Sequence, residues 1–227
     1  MKSKYLKAAL GAVLIVLSVI GMLLFLEEYA KSYLRDQVKD EVLNRNNDDD
    51  IEYDVPSGDY LSIKGEENTE DDSAAEALIQ IAGYAAGDDN ATDKLHLIGI
   101  ISIPSLDIEE PIWKENSNLA MRYGVILMDY SPRPGDKGNS LIVGHRNNIT
   151  HTIFDKLTKI KNGAAVTITT PEGFEQNYRV NGTYYCSPYD LQDYVGTSEE
   201  YPVMVTLITC AREKGNCWRF IVTLIPA

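Results

Sequence analysis

Cysteine and histidine are scarce in this 227-residue chain, with three of each. Cys186, Cys210 and Cys217 are too few, and odd in number, for a disulfide framework, and no Cys-x-x-Cys pair offers a zinc site. That leaves room for one reactive thiol and two structural cysteines, held apart or as a Cys186–Cys217 bridge. Basic residues number 21 against 34 acidic, and they nowhere cluster into the face that nucleic-acid binding needs. No internal repeat is visible. Long apolar runs are limited to one.

The net charge of -13 is local. Residues 46–93 carry one Lys against fifteen Asp/Glu, whereas 1–45 carry seven basic against five acidic and 94–227 thirteen against fourteen. The acidic span, with clusters at 48–50 and 70–72, cannot bury enough apolar surface to fold alone and reads as a solvated linker. Within it, Ser73 and Glu76 have capping-box spacing ahead of Leu78, Ile79 and Ile81. A short helix over 73–86 is expected, either a transient feature of a tether or a strap over the domain that follows.

The apolar run covers 8–26 without a charge, about 28 Å of helix at ~1.5 Å per residue, enough for a hydrocarbon core of about 30 Å. Lys2, Lys4 and Lys7 precede it and Glu27 and Glu28 follow, so the positive-inside rule keeps 1–7 cytoplasmic and sends the rest outside. The run exceeds a usual signal-peptide core and lacks a small-residue cleavage site, which favours an uncleaved single-pass anchor. Residues 27–45, free of Pro and Gly, are expected to continue as a juxtamembrane helix.

From 94 the texture becomes β-rich. Strands are predicted over 97–103, 108–113, 140–143, 165–169, 178–185, 203–209 and 218–225, with helix-like stretches only at 118–122 and 153–160. Many short strands with little helix between them indicate an antiparallel barrel or sandwich rather than βαβ units.

The strongest local feature is Val-Met-Val-Thr-Leu-Ile-Thr-Cys over 203–210, an apolar strand ending in a cysteine. A short connection leads to the last strand, which starts near Arg219, so Cys210 and Arg219 fall near one rim. His145 stands just past the end of the strand Asn-Ser-Leu-Ile-Val. A thiol, an imidazole and a guanidinium suit acyl transfer. The thiolate attacks, the imidazole moves the proton, and the guanidinium holds the oxyanion. Taken singly, a cysteine closing an apolar strand is usually inert, a lone histidine structural and a rim arginine a salt-bridge partner. His96, in an early strand, and His151 remain outside the trio. Arg212, on the turn after Cys210, is the alternative to Arg219.

The run Thr206-Leu207-Ile208-Thr209-Cys210 resembles the sortase Thr-Leu-x-Thr-Cys motif. Val143-Gly144-His145-Arg146 resembles that family's strand-end histidine, and Arg219 resembles its arginine on the last strand. The opening run 101–112, Ile-Ser-Ile-Pro-Ser-Leu-Asp-Ile-Glu-Glu-Pro-Ile, also matches. The resemblance covers roughly 95–227 with order and spacing intact, within a catalytic domain placed at 94–227.

It implies a mainly β fold, an eight-stranded sortase-type β-barrel with short helices, preceded by the transmembrane helix and the acidic linker. It further implies a cysteine transpeptidase on the outer face of a Gram-positive cell. Such an enzyme cleaves an LPXTG-like sorting signal near the C-terminus of secreted proteins through a thioacyl intermediate. It then joins them to an amine of a cell-wall precursor or a pilin. Cys210, His145 and Arg219 would be catalytic, and Thr209 would place the substrate.

No cofactor is implied. Some members bind calcium, but the loop before the histidine strand offers Asp136 beside Arg133 and Lys137, a poor oxygen set, and the loop over 190–201 reads as solvated. The absence of an Asp-Pro-aromatic lid motif near Asp54-Val-Pro56, and of an apolar run after the last strand, points to a single-anchor, housekeeping-like or accessory member. Two other readings stay open: an extracellular cysteine peptidase using water, and a catalytically silent membrane-tethered binding protein.

Overall fold

The computed structural model describes residues 2–45, 52–56, 92–117, 119–129, 131–147, 152–197, 199–214 and 218–227. Among these, the long helix α1 (Lys2–Leu43) takes in the whole apolar run and all but the last two residues of the predicted juxtamembrane stretch without a break. It holds no proline, and it stops at Asn44, whose backbone N–H and side-chain Nδ2 both donate to the Asp40 carbonyl (3.0 and 2.8 Å). From Gly11 to Leu26 large apolar side chains are exposed on several sides, among them Leu14, Ile15, Leu17 and Phe25. Near the C-terminal end only one stripe is buried: Val38 and Val42, one turn apart. Among the described residues no helix is long and apolar enough to cross a membrane. The first three side chains of the run 8–26 fall outside that description.

The rest is sheet. In chain order the strands are β1 (Glu52–Pro56), β2 (Thr92–Ile103), β3 (Ile108–Trp113), β4 (Val125–Leu127) and β5 (Gly138–Val143). There follow β6 (Arg146–Asn147), β7 (Thr152–Ile153), β8 (Ala165–Thr169), β9 (Glu175–Cys186), β10 (Val203–Cys210) and β11 (Arg219–Pro226). A short helix α2 (Ala120–Tyr123) precedes β4. Eight strands hydrogen-bond in the order β2-β3-β4-β5-β10-β11-β9-β8, and β8 pairs back to β2, which closes the barrel. The expected mainly β, eight-stranded barrel is what forms.

Three features depart from the sequence reading. Two pairs are parallel, β3 with β4 and β5 with β10, so the barrel is mixed rather than antiparallel throughout. β4 was missed because three residues, Val-Ile-Leu, are too short to show a period. The acidic span 46–93, read as a solvated linker, contains β1 beside β2 and the first two residues of β2. Tyr53 and Val55 alternate with acidic residues and are buried, Tyr53 edge-on to Trp113 with ring centroids 5.7 Å apart. That period-2 pattern is enough to add a strand where net charge argued against one. The expected helix at 73–86 lies outside the described residues.

The main core fills the barrel interior, with Ile101, Ile112, Ile142, Phe154, Leu207 and Val222 among its members. A second, smaller cluster sits on the outer face: Cys186, Ile208 and Ile221, with Val143, Leu191 and Tyr194 packed against it. β10 thus faces apolar neighbours on both sides, which is why it reads as an uninterrupted apolar run.

Candidate active site

β10 lies between two partners that bring distant residues together. It pairs antiparallel with β11, ending at Cys210 opposite Arg219, and parallel with β5, ending at Ile208 opposite Val143. Beyond that last pair, Gly144 N–H donates to the Ile208 carbonyl (3.1 Å), and the buried Thr209 hydroxyl donates to the Gly144 carbonyl (2.8 Å). Cys210 is two residues past Ile208 within β10, so strand alternation gives it the outer face, whereas His145 stands two residues past Val143, just beyond the end of β5. Cys210 and Arg219, both half-buried, thus close the β10–β11 ladder, and the exposed His145 follows two residues after the end of the adjoining β5.

Each position has a local cause. Gly144 has no side chain because there is no room for one: a Cβ there would stand 2.7 Å from Phe154, 2.8 Å from Val125 and 3.0 Å from Ile153. The chain can turn off β5 only by passing this point close to the core. The Phe154 N–H donates to the His145 carbonyl (3.1 Å), fixing the histidine's main chain from the other side. Arg219 is flanked by thiols on both neighbouring strands, Cys210 on β10 and Cys186 on β9. Its Nη1 donates to the Trp218 carbonyl (3.2 Å). Burial, then the nearby Asp190, pushes the Cys186 thiol up, and the Arg219 charge opposes both.

Over the outer face runs the connection from β9 to β10, with a 3-10 stretch at Pro188–Tyr194. Leu191 and Tyr194 pack against Ile208, Ile221 and Cys186. Polar ties hold it: Asn139 Nδ2 donates to the Gly196 carbonyl (3.1 Å), and the Thr206 hydroxyl donates to Asn139 Oδ1 (3.0 Å). Sequence reasoning gave no role to Asn139, and its spacing to residue 196 carries no signal.

The other candidates fall elsewhere. Thr209 faces inward, its hydroxyl spent on the Gly144 carbonyl. His96 lies on β2 between two carboxylates, its Nδ1 2.6 Å from Glu115 Oε1 and its Nε2 3.1 Å from Glu52 Oε2. That is a structural clasp for β1, distant in the sheet order from β10. Arg212 opens a 3-10 turn just after Cys210. Cys186 is a free thiol, and His151 and Cys217 lie outside the described residues. Among the described residues no group of three His, Cys, Asp or Glu side chains is arranged to hold a metal ion.

A cysteine facing an arginine across one strand pair, with a histidine just past the adjoining strand end, brings together at the level of the main chain the residue types that nucleophilic acyl transfer uses. A family model described as Sortase, sortase domain, matches residues 101–225, more than half of the chain. The chain belongs to the sortase family. Its members are cysteine transpeptidases, which accords with the thiol at the end of β10.

The sortase A of Bacillus anthracis is 30% identical over 132 residues, which is 57% of this chain and 60% of that relative's length. Among solved structures, sortase A from Corynebacterium diphtheriae covers 87% of this chain and 83% of its own, with 20% identity and a TM-score of 0.53. Sortase C from Clostridium perfringens, solved with the C-terminal cell wall sorting motif, covers 58% and 70%, with 24% identity and a TM-score of 0.51. These structural likenesses speak for the shared sortase barrel.

Proposed function

We propose that this sortase is a membrane-anchored transpeptidase in which Cys210, His145 and Arg219 carry the chemistry. The observation that bears most weight is the Cys210–Arg219 terminal pair, with His145 two residues past the end of the adjoining strand. The Cys210 thiol gives its proton to His145, and the thiolate attacks the carbonyl carbon of the threonine in an LPXTG-like sorting signal. The tetrahedral oxyanion is held by the Arg219 guanidinium, which keeps its charge at any working pH. His145 gives a proton to the departing amine as the peptide bond breaks, leaving a thioacyl enzyme. An incoming amine, from a cell-wall precursor or a pilin lysine, then gives up a proton to His145 and displaces the sulfur.

The substrate class rests on family membership, and on the Clostridium perfringens sortase C solved with the C-terminal cell wall sorting motif. The Thr209 hydroxyl, engaged with Gly144, would place substrate through the main chain rather than by touching it. Anchoring follows from the apolar run 8–26 and its lysine-rich flank, and the exposed Leu14, Ile15, Leu17 and Phe25 suit lipid better than water. The catalytic domain then stands outside the cell.

Incubating the protein with an LPXTG-type peptide and an amine tests the proposal. A ligated peptide and an acyl adduct on Cys210 by mass spectrometry are expected, both lost in Cys210→Ala. Hydrolysis that amine does not divert would assign it to the peptidases instead, and function surviving Cys210→Ala would make it a binding protein.

A further inference from the structure

Beside the site lies a polar network that this chemistry does not use. Arg146, the first residue of β6, reaches over the end of β10. Its Nη1 stands 3.4 Å from the Cys210 carbonyl oxygen, as donor, and pairs with the Glu213 carboxylate. On its other oxygen, Glu213 accepts a bond from the Tyr185 hydroxyl (3.0 Å). The Tyr185 ring packs against Phe220, centroids 5.0 Å apart, and lies under the Lys214 ammonium at 5.3 Å. Three segments thus converge: the residue after His145, the turn after Cys210, and the end of β9.

The charge on Arg146 needs a reason. Its side chain is 13% exposed, and its Nε is buried with no hydrogen-bond partner. Burying a guanidinium with an orphan donor is costly, and an apolar side chain would fill the same space with less penalty. What the guanidinium does is bind main chain at the nucleophile. The β5–β10 ladder ends at Val143 and Ile208, yet His145 and Cys210 both lie beyond it. The Gly144 bonds secure the first step past the ladder, and Arg146 spans the next. Burial alone would raise the Glu213 carboxyl, but its own backbone N–H, Arg146 and Tyr185 hold it below the usual range. Glu213 is therefore held as the carboxylate that pairs with Arg146.

We propose that Arg146, Glu213 and Tyr185 form a positioning brace that fixes the Cys210 main chain against the His145 strand end and so sets the approach of thiol to imidazole and substrate. Its part in turnover rests on the transpeptidase reading, whereas its effect on the thiol does not. Misplacement of about 1 Å at a reacting centre can cost roughly 10²-fold in rate, so a brace of this kind acts on the chemical step more than on binding.

The test uses the full chain in detergent. Arg146→Met, Glu213→Gln and Tyr185→Phe are compared with the parent for single-turnover acylation of Cys210 by an LPXTG-type peptide, alongside thermal melts. Arg146→Met and Glu213→Gln are expected to slow acylation at saturating peptide by about tenfold or more, with the half-saturating concentration within about twofold of the parent. The double variant should be no slower than the worse single, since both break one unit. Tyr185→Phe removes one hydroxyl, keeps the ring packing and gives a smaller loss in the same direction.

A peptide-independent arm follows alkylation of Cys210 by iodoacetamide across about pH 5–9, resolved by mass mapping with buried Cys186 as reference. The brace predicts an altered Cys210 profile in Arg146→Met and Glu213→Gln. A parent that fails to acylate, with variants that still alter the profile, would count against the transpeptidase and leave the brace standing. Folded variants that acylate and alkylate like the parent overturn the brace. So does an unchanged profile with an inert parent. If Arg146→Met does not fold, Glu213→Gln and Tyr185→Phe decide by the same readouts.

Discussion

Cys210 and Arg219 are the last facing pair of the β10–β11 ladder, and Cys186 completes the row on the far side of Arg219. Directly opposed residues of an antiparallel pair share a face with Cα atoms roughly 5 Å apart, so the sheet itself sets the two positions side by side on one face. The same spacing puts two strand widths, about 9–10 Å, between Cys186 and Cys210, beyond the reach of a disulfide. Cys210 thus has an arginine as its facing residue and is kept away from the one partner in the row that could oxidise with it.

Replacing Arg219 by lysine keeps a positive charge but loses the planar fork. Acylation of Cys210 is expected to fall by about 10²-fold while the melting temperature stays near the parent's, since the residue is half-buried at a rim. Rates within about threefold of the parent would move the role to Arg212.

Gly144→Ala asks whether the close passage before His145 matters. The new methyl would press on Phe154, Val125 and Ile153, all in the main core. Overpacking of this kind costs about 1–3 kcal/mol, and relief by shifting the chain displaces His145. Urea unfolding and peptide acylation should both suffer. A stable variant with parental turnover would show that the strand end tolerates the shift.

The barrel and its rim were legible because their signals are local. The apolar run 203–210 ends in cysteine, and its short connection to the last strand gives the antiparallel pair without further information. The parallel placement of β5 beside β10 was not legible: residues 138 and 203 face each other across 65 positions, and no periodicity encodes a partner that far away. Tyr53 and Val55 were hidden for a different reason. An acidic composition averaged over 48 residues masked a five-residue alternation. The brace was hidden most completely, since Arg146 and Glu213 are 67 residues apart and each looks like an ordinary surface charge.

Thr209→Val keeps the shape of a fully buried side chain and deletes its hydroxyl. The Gly144 carbonyl loses a 2.8 Å bond in a buried place, a loss of about 1–3 kcal/mol. Because that bond ties the two strand ends, the rate of acylation should fall as well as the urea midpoint. Thr209→Ser, which restores the donor, should recover rate more fully than stability. Equal rates in the Val and Ser variants would reduce the hydroxyl to a packing role.

The end of α1 is joined to the barrel by Lys39 Nζ and Glu110 Oε1 at 3.1 Å, with Glu110 almost fully buried and its Oε2 without a partner. Burial pushes the Glu110 carboxyl up, and Lys39 opposes the shift without cancelling it. The folded chain therefore binds a proton on Glu110 at pH values where the unfolded chain has released it. Stability from this group is greatest at the acid end of that window and declines as pH rises through the raised value. Lys39→Met removes the opposing charge and leaves a buried carboxylate, so it should cost about 1–3 kcal/mol near pH 7.5 and clearly less near pH 5, where Glu110 can protonate. Glu110→Gln carries no titrating group and should flatten the dependence. Urea midpoints for the three proteins at both pH values provide the check. A Lys39→Met penalty that is the same at both would mean that the ion pair is solvated and Glu110 is not under strain.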